Sequence, residues 1–167
     1  MSAFPPLRLV PIDRSGAPED AGLKVDDVAR ESCAATAALY RKIGFVRPWL
    51  GYLVADGAQV VGICGFAAPP ASGRVEIAYF TFPAFEGRGI ATSMARALIA
   101  MARGAEPAII ITAQTLPKPN ASTRVLEKLG FARSGTVVYS EDDDVRGWVL
   151  GSRGGAPMPP SPPSRAD

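Results

Sequence analysis

The residues with the most chemistry per position are Glu86-Gly87-Arg88-Gly89-Ile90-Ala91, set between a strand-like run and an amphipathic stretch. Two glycines at a strand-to-helix turn let the backbone approach a ligand closely. The free amides of the first helical turn, with the helix dipole behind them, make an anion site, and phosphate or pyrophosphate is its natural occupant. Three phosphate turns compete. A P-loop needs GxxxxGK[ST], and the lysine is missing. A dinucleotide turn needs GxGxxG with an acidic residue ending the next strand; the third glycine is absent, and Glu106 precedes that strand. The Q/R-x-x-G-x-G/A turn that holds the pyrophosphate of coenzyme A fits except at its first position, Glu86. A glycine-rich connection without a ligand also stays open on the turn alone.

Upstream, period-two alternation puts Glu76, Ala78, Phe80 and Phe82 on one strand face, and Glu76 is the only charged residue among them. Little else in the chain offers chemistry. There is no histidine, which removes Ser-His-Asp triads, Cys-His dyads and His-based zinc sites. Cys33 and Cys64 lie in apolar company without ligand spacing and read as buried free thiols, so no metal is expected. Lys and Arg number 18 against 16 Asp and Glu, a net +2 without the concentrated basic excess of a nucleic-acid or membrane-surface binder.

The elements that must position these residues are legible in outline. The 167 residues suggest one domain over 1–150. Apolar residues make up 47% of the chain, which excludes wholesale disorder. No apolar run approaches the ~18 residues of a membrane span. No signal peptide is visible at the start, so a soluble, cytoplasmic protein is expected. Residues 151–167, rich in Gly and Pro, read as a disordered tail. Strands are predicted at Leu7–Val10, Tyr52–Ala55, Gln59–Phe66, Arg74–Phe82, Ala108–Thr112, Thr136–Tyr139 and Val145–Leu150. Asp56-Gly57 marks the first hairpin turn, and the acidic run 141–144 the last. Helices are predicted over 23–42, from Ile90 to Gly104, and from an Asn120 N-cap to Leu129. Hairpins mixed with helical crossovers imply an α/β protein: a mixed sheet with helices packed on both faces.

Residues 108–131, AIIITAQTLPKPNASTRVLEKLGF, together with the glycine turn, resemble the GNAT (Gcn5-related) N-acetyltransferases, in particular the RimJ/RimL-like branch. There a strand ends in a T-x-P-x-N-x-S turn and the next helix closes with VLEKLGF. The resemblance spans most of residues 7–150 and includes the final hairpin with Trp148. It implies a sheet splayed open between two parallel strands, here 74–82 and 108–114. It implies acetyl-CoA as cosubstrate, its pantetheine arm along Phe80, Thr81 and Phe82 and its pyrophosphate on Gly87, Arg88, Gly89, Ile90 and Ala91. Arg88 either adds charge there or points to solvent. Asn120 and Ser122 match positions that approach the coenzyme arm and thiol, with Ser122 orienting the sulfur or binding a water. Glu76 matches a catalytic glutamate in a similar "EI" context. A protonated amine must lose a proton before it attacks, and a carboxylate base meets that need.

Four departures from the family pattern stand out: Glu86 for Gln or Arg, Gln114 where His is common, Lys118 where an acidic residue is common, and Leu126 where many members carry an acid tyrosine. The expected function is acetyl transfer to a primary amine, on a protein N-terminus or a small molecule. A non-catalytic acyl-CoA-binding regulatory module is the alternative. The acceptor and a homodimer stay open.

Overall fold

The computed structural model describes residues 7–115, 121–140 and 143–150. The chain order is β1 (Arg8–Pro11), α1 (Asp27–Ile43), β2 (Gly51–Asp56), β3 (Gln59–Phe66), β4 (Arg74–Thr81), α2 (Ile90–Ala105), β5 (Ile110–Thr115), α3 (Ala121–Lys128), β6 (Ala132–Ser140) and β7 (Asp143–Leu150). The strands form one seven-stranded sheet in the order β1-β2-β3-β4-β5-β7-β6. β4 and β5 run parallel, and the other strand pairings are antiparallel. This is the mixed α/β sheet that the alternation of hairpins and helices implied.

Local chemistry sets the element boundaries. α1 begins four residues later than its helical pattern suggests, because the Asp26 carboxylate accepts from the Ala29 N–H at 2.9 Å and caps the helix there. The residues before it are committed elsewhere: the Lys24 N–H bonds to the Ala58 carbonyl beside β3. Gly44 closes α1 at φ +91°, after Arg41 and Lys42 in the last turn. β4 ends at Thr81 and not at Phe82, whose N–H turns to the Val61 carbonyl as Pro83 opens a short 3-10 turn. β5 starts two residues late: the Ile109 N–H turns back to the Glu106 carbonyl, and the Ile110 N–H is the next to bond, to the Gly73 carbonyl.

The helices cover both faces. A side chain at Gly51 would collide with Thr36 of α1, whereas one at Gly62 would meet Met94 of α2. The pairing of Gly51 with Gly65 puts these two glycine positions on opposite faces. α3 packs beside α2. Ile90, Met94 and Leu98 form the buried stripe of α2 against Val75 and Ile77 of β4. Cys33 and Cys64 are buried free thiols, and burial pushes both thiol pKa values up. Asn120, the tail over 151–167, and Glu141 and Asp142 of the acidic run lie outside the described residues.

One buried bond holds the β5–β7 wall in register: Trp148 Nε1 donates to Thr115 Oγ1 at 2.8 Å. Thr115→Val keeps the shape and leaves the indole N–H unsatisfied. It should lower unfolding stability by about 1–3 kcal/mol in urea titrations; an unchanged midpoint would show that this bond contributes nothing.

Candidate active site

The site begins where a ladder stops. β4 and β5 pair at Arg74 with Ile110, Val75 with Ile111 and Glu76 with Thr112, and pairing ends there. β4 then runs on to Thr81 and β5 to Thr115, bound on their outer sides to β3 and β7. The two inner edges part into a V whose apex is Glu76. Backbone polar groups on such unpaired edges are free to bond a ligand that lies between them.

A cavity of about 550 Å³ fills the space beyond the apex. Its walls are Tyr79, Phe80 and Thr81 of β4, the turn from Phe85 to Gly87, Gly89 to Thr92 at the start of α2, and Ser122 and Val125 of α3. Gly87 and Gly89 hold φ of +79° and +75°, the left-handed region that glycine enters without penalty. Gly89 is the N-cap of α2, and no side chain caps the helix. Its first-turn amides therefore lack the usual internal acceptor and, with the dipole, suit an anion. Thr81 Oγ1 is buried in the same wall without a hydrogen-bond partner among the described residues. A long polar ligand carrying phosphates suits both features.

Most of the expected coenzyme residues meet at this cavity. Phe80, Thr81, Gly87, Gly89, Ile90, Ala91 and Ser122 all line it. Arg88 does not; it is exposed, with its guanidinium 5.6 Å from the centre of the Phe85 ring. Phe82 belongs to the buried core and lies outside the lining. Asn120 is not among the described residues. Glu86 lines the cavity and is exposed at its rim.

Glu76 is half-buried, and no described side chain hydrogen-bonds or pairs with its carboxylate. Burial alone pushes its pKa above the ordinary glutamate value, because the charged form loses hydration. A carboxyl without a side-chain partner among the described residues, held at the parting of two strands and shifted toward its neutral form, has the chemistry of a proton acceptor.

Sequence reasoning missed Tyr79. Alternation places it opposite Glu76 and marks it as core, yet it lines the cavity and its hydroxyl donates to the Ser122 carbonyl at 3.4 Å. Burial raises its pKa to about 12. The link ties β4 to the first turn of α3. Only the approach of α3 to β4 reveals it, and no local motif encodes that approach. The tyrosine position expected on α3 is Leu126, fully buried in the core.

The GNAT acetyltransferase domain matches residues 22–132. None of the curated proteins matches in sequence. Among solved structures, a RimL ribosomal L7/L12 alpha-N-protein acetyltransferase in complex with coenzyme A superposes with a TM-score of 0.63 at 18% identity, over 87% of this chain and 94% of that one. A putative acetyltransferase from Salmonella typhimurium with its cofactor acetyl-CoA gives 0.61 at 18%, over 93% and 98%. A putative acetyltransferase from Acinetobacter baylyi gives 0.62 at 18%, over 87% and 93%. At that identity the likeness carries the fold.

Proposed function

This chain belongs to the GNAT acetyltransferases, and on that premise we propose that it transfers the acetyl group of acetyl-CoA to a primary amine, with Glu76 as general base. The observation that carries the proposal is the V: its apex is a half-buried carboxylate without a side-chain partner among the described residues, and its mouth opens on a cavity that ends at an uncapped helix N-terminus. The residues present fit the donor. The turn from Gly87 to Ala91 offers amides to the pyrophosphate. The free inner edge of β4 and Thr81 Oγ1 offer partners to the pantetheine amides.

The thioester supplies an activated acetyl carbon, and the protein supplies placement and proton removal. Holding amine and thioester together removes much of the entropic barrier. Glu76 does not line the cavity; an amine held beside Ala78, between Glu76 and Phe80 on one strand face, lies roughly 7 Å along the strand from it, a gap that a glutamate side chain and one water span. The carboxylate takes the ammonium proton through that water, which leaves the amine lone pair free to attack. A free backbone N–H near the end of β4 would stabilise the developing oxyanion. The departing thiol has a pKa near 8.5 and leaves without a strong acid, so the absence of a tyrosine at Leu126 is no obstacle. Tyr79 and Ser122 hold the shape of the thiol end through their bond across the cavity.

Thermal melts test the donor. Coenzyme A should raise Tm while NAD leaves it unchanged, and stabilisation by NAD in place of coenzyme A would overturn the assignment. Glu86 gives a sharper check. Its carboxylate stands at the rim of an anion site and opposes the pyrophosphate. Glu86→Gln should tighten coenzyme A by about two- to fivefold at low salt, with the gain shrinking as salt screens the charge. Weaker binding in that variant would mean that Glu86 contributes a bond to the donor.

A further inference from the structure

A second hollow, of about 370 Å³, lies on the α1 side of the sheet and meets the donor cavity at Tyr79 and Phe80, which line both. Its floor is Gly65 and Ala78, adjacent on β3 and β4, and its rim is Leu39 of α1 and Phe80 of β4. Leu39 is 37% exposed and Phe80 52% exposed, the latter among the most exposed large apolar side chains described.

The polar atoms of this wall are already committed. The Thr36 hydroxyl donates to the Ser32 carbonyl at 2.8 Å, and the Tyr79 hydroxyl to the Ser122 carbonyl. Cys64 is a buried thiol held neutral by its surroundings. No charged side chain lines the hollow among the described residues. One strand period beyond Ala78, on the same face, stands the Glu76 carboxylate. An occupant thus meets an apolar surface everywhere except at the two ends that matter for acetyl transfer: the donor cavity at Phe80 and the carboxylate beyond Ala78.

We infer that this hollow is the acceptor subsite and that it selects a primary amine carried on an uncharged, apolar body, an alkyl or aryl group or an apolar first residue of a peptide. The inference rests on the acetyltransferase reading and deepens it. The continuity with the donor cavity brings an amine seated over Ala78 to the thioester, and Glu76, one strand period away on the same face, complements its positive charge. A second charge on the body, as in a diamine or polyamine, would enter the hollow without a partner and lose its hydration there. The volume suits a compact body, at the small end of the range for ligand pockets.

The test uses the full chain with acetyl-CoA and three acceptors: phenethylamine, a Phe-Gly-Gly peptide amide and putrescine. At least one apolar amine should exceed putrescine in kcat/KM by on the order of 100-fold, and which of the two leads tells a free amine from a peptide N-terminus. Two variants locate the effect. Ala78→Leu fills the floor, and Leu39→Asp puts a carboxylate on an exposed helix position at the rim. Each should raise KM for the preferred apolar amine by about tenfold or more while the affinity for coenzyme A stays put. The intact coenzyme affinity shows that each variant is folded. Putrescine as the better acceptor, or apolar amines indifferent to both variants, would overturn the subsite and leave the acetyltransferase reading standing. Saturable acetyl-CoA binding with no transfer to any amine would overturn that reading and the subsite with it.

Discussion

Glu76→Gln lowers kcat by about 100-fold or more and leaves the affinity for acetyl-CoA nearly unchanged. The amide keeps the size of the side chain and its place at the apex of the V, but it accepts no proton at neutral pH. Because burial raises the Glu76 pKa, the acidic limb of the wild-type kcat/KM profile should lie above the ordinary carboxylate range. The same shift has a consequence for stability. A carboxyl whose folded pKa exceeds its unfolded value favours the fold when protonated. That contribution is complete below the unfolded pKa and is lost as pH rises through the folded pKa. At neutral pH the ionised Glu76 therefore opposes folding slightly, and Glu76→Gln should melt at or above the wild-type temperature. The gain should vanish in acid, where the wild-type carboxyl is itself neutral. Lost turnover with equal or higher Tm is a pattern that a structural glutamate does not produce. Full activity would remove Glu76 from the reaction. Lost activity with a lowered Tm would make it a packing residue.

Gly89→Val weakens coenzyme A binding by about 100-fold or more, to the point where melts with the coenzyme no longer shift. Two effects act together. Gly89 sits at φ +75°, where a β-branched residue is disfavoured by roughly 1–2 kcal/mol. A branched side chain at this N-cap would also crowd the first-turn amides to which the proposal assigns the pyrophosphate. Gly87 is the built-in comparison. Its φ is +79° and a Cβ there meets no protein atom within 4 Å, so Gly87→Ala carries the backbone strain with a single methyl group outside the helix N-terminus. Coenzyme affinity should fall much further in Gly89→Val than in Gly87→Ala. Equal effects from the two changes would place the anion elsewhere on the turn, and no effect from either would remove it from the turn altogether.

The sequence made the scaffold legible because its signals are local. Asp56-Gly57 turns a hairpin, Ile90, Met94 and Leu98 repeat at helical spacing, and the β-branched run after Ala108 reads as a buried strand. The glycine turn was legible as a turn for the same reason, since two glycines between a strand and a helix mark positive φ, although its ligand stayed open on the turn alone. What stayed hidden depends on distant pieces of chain. The end of β4 at Thr81 is set by the Val61 carbonyl, and the start of β5 by the Gly73 carbonyl. Tyr79 alternates onto the core face and becomes a cavity wall only because α3 arrives beside it. Glu76 was singled out as the lone charge on its face, but its place at the last paired step between β4 and β5 is a matter of register, which no single strand encodes. The hollow beside Leu39 likewise needs α1, β3 and β4 at once.

The most direct test of the central claim is isotope-labelled acetyl transfer from acetyl-CoA into a cell extract, read by mass spectrometry, with wild type and Glu76→Gln run side by side. Label on amines with wild type, and roughly a hundredth of it or less with the variant, is the expected result. Equal labelling by the two proteins would contradict a base at the apex of the V. No labelling by wild type, with coenzyme A still bound, would contradict acetyl transfer to any amine that the extract contains.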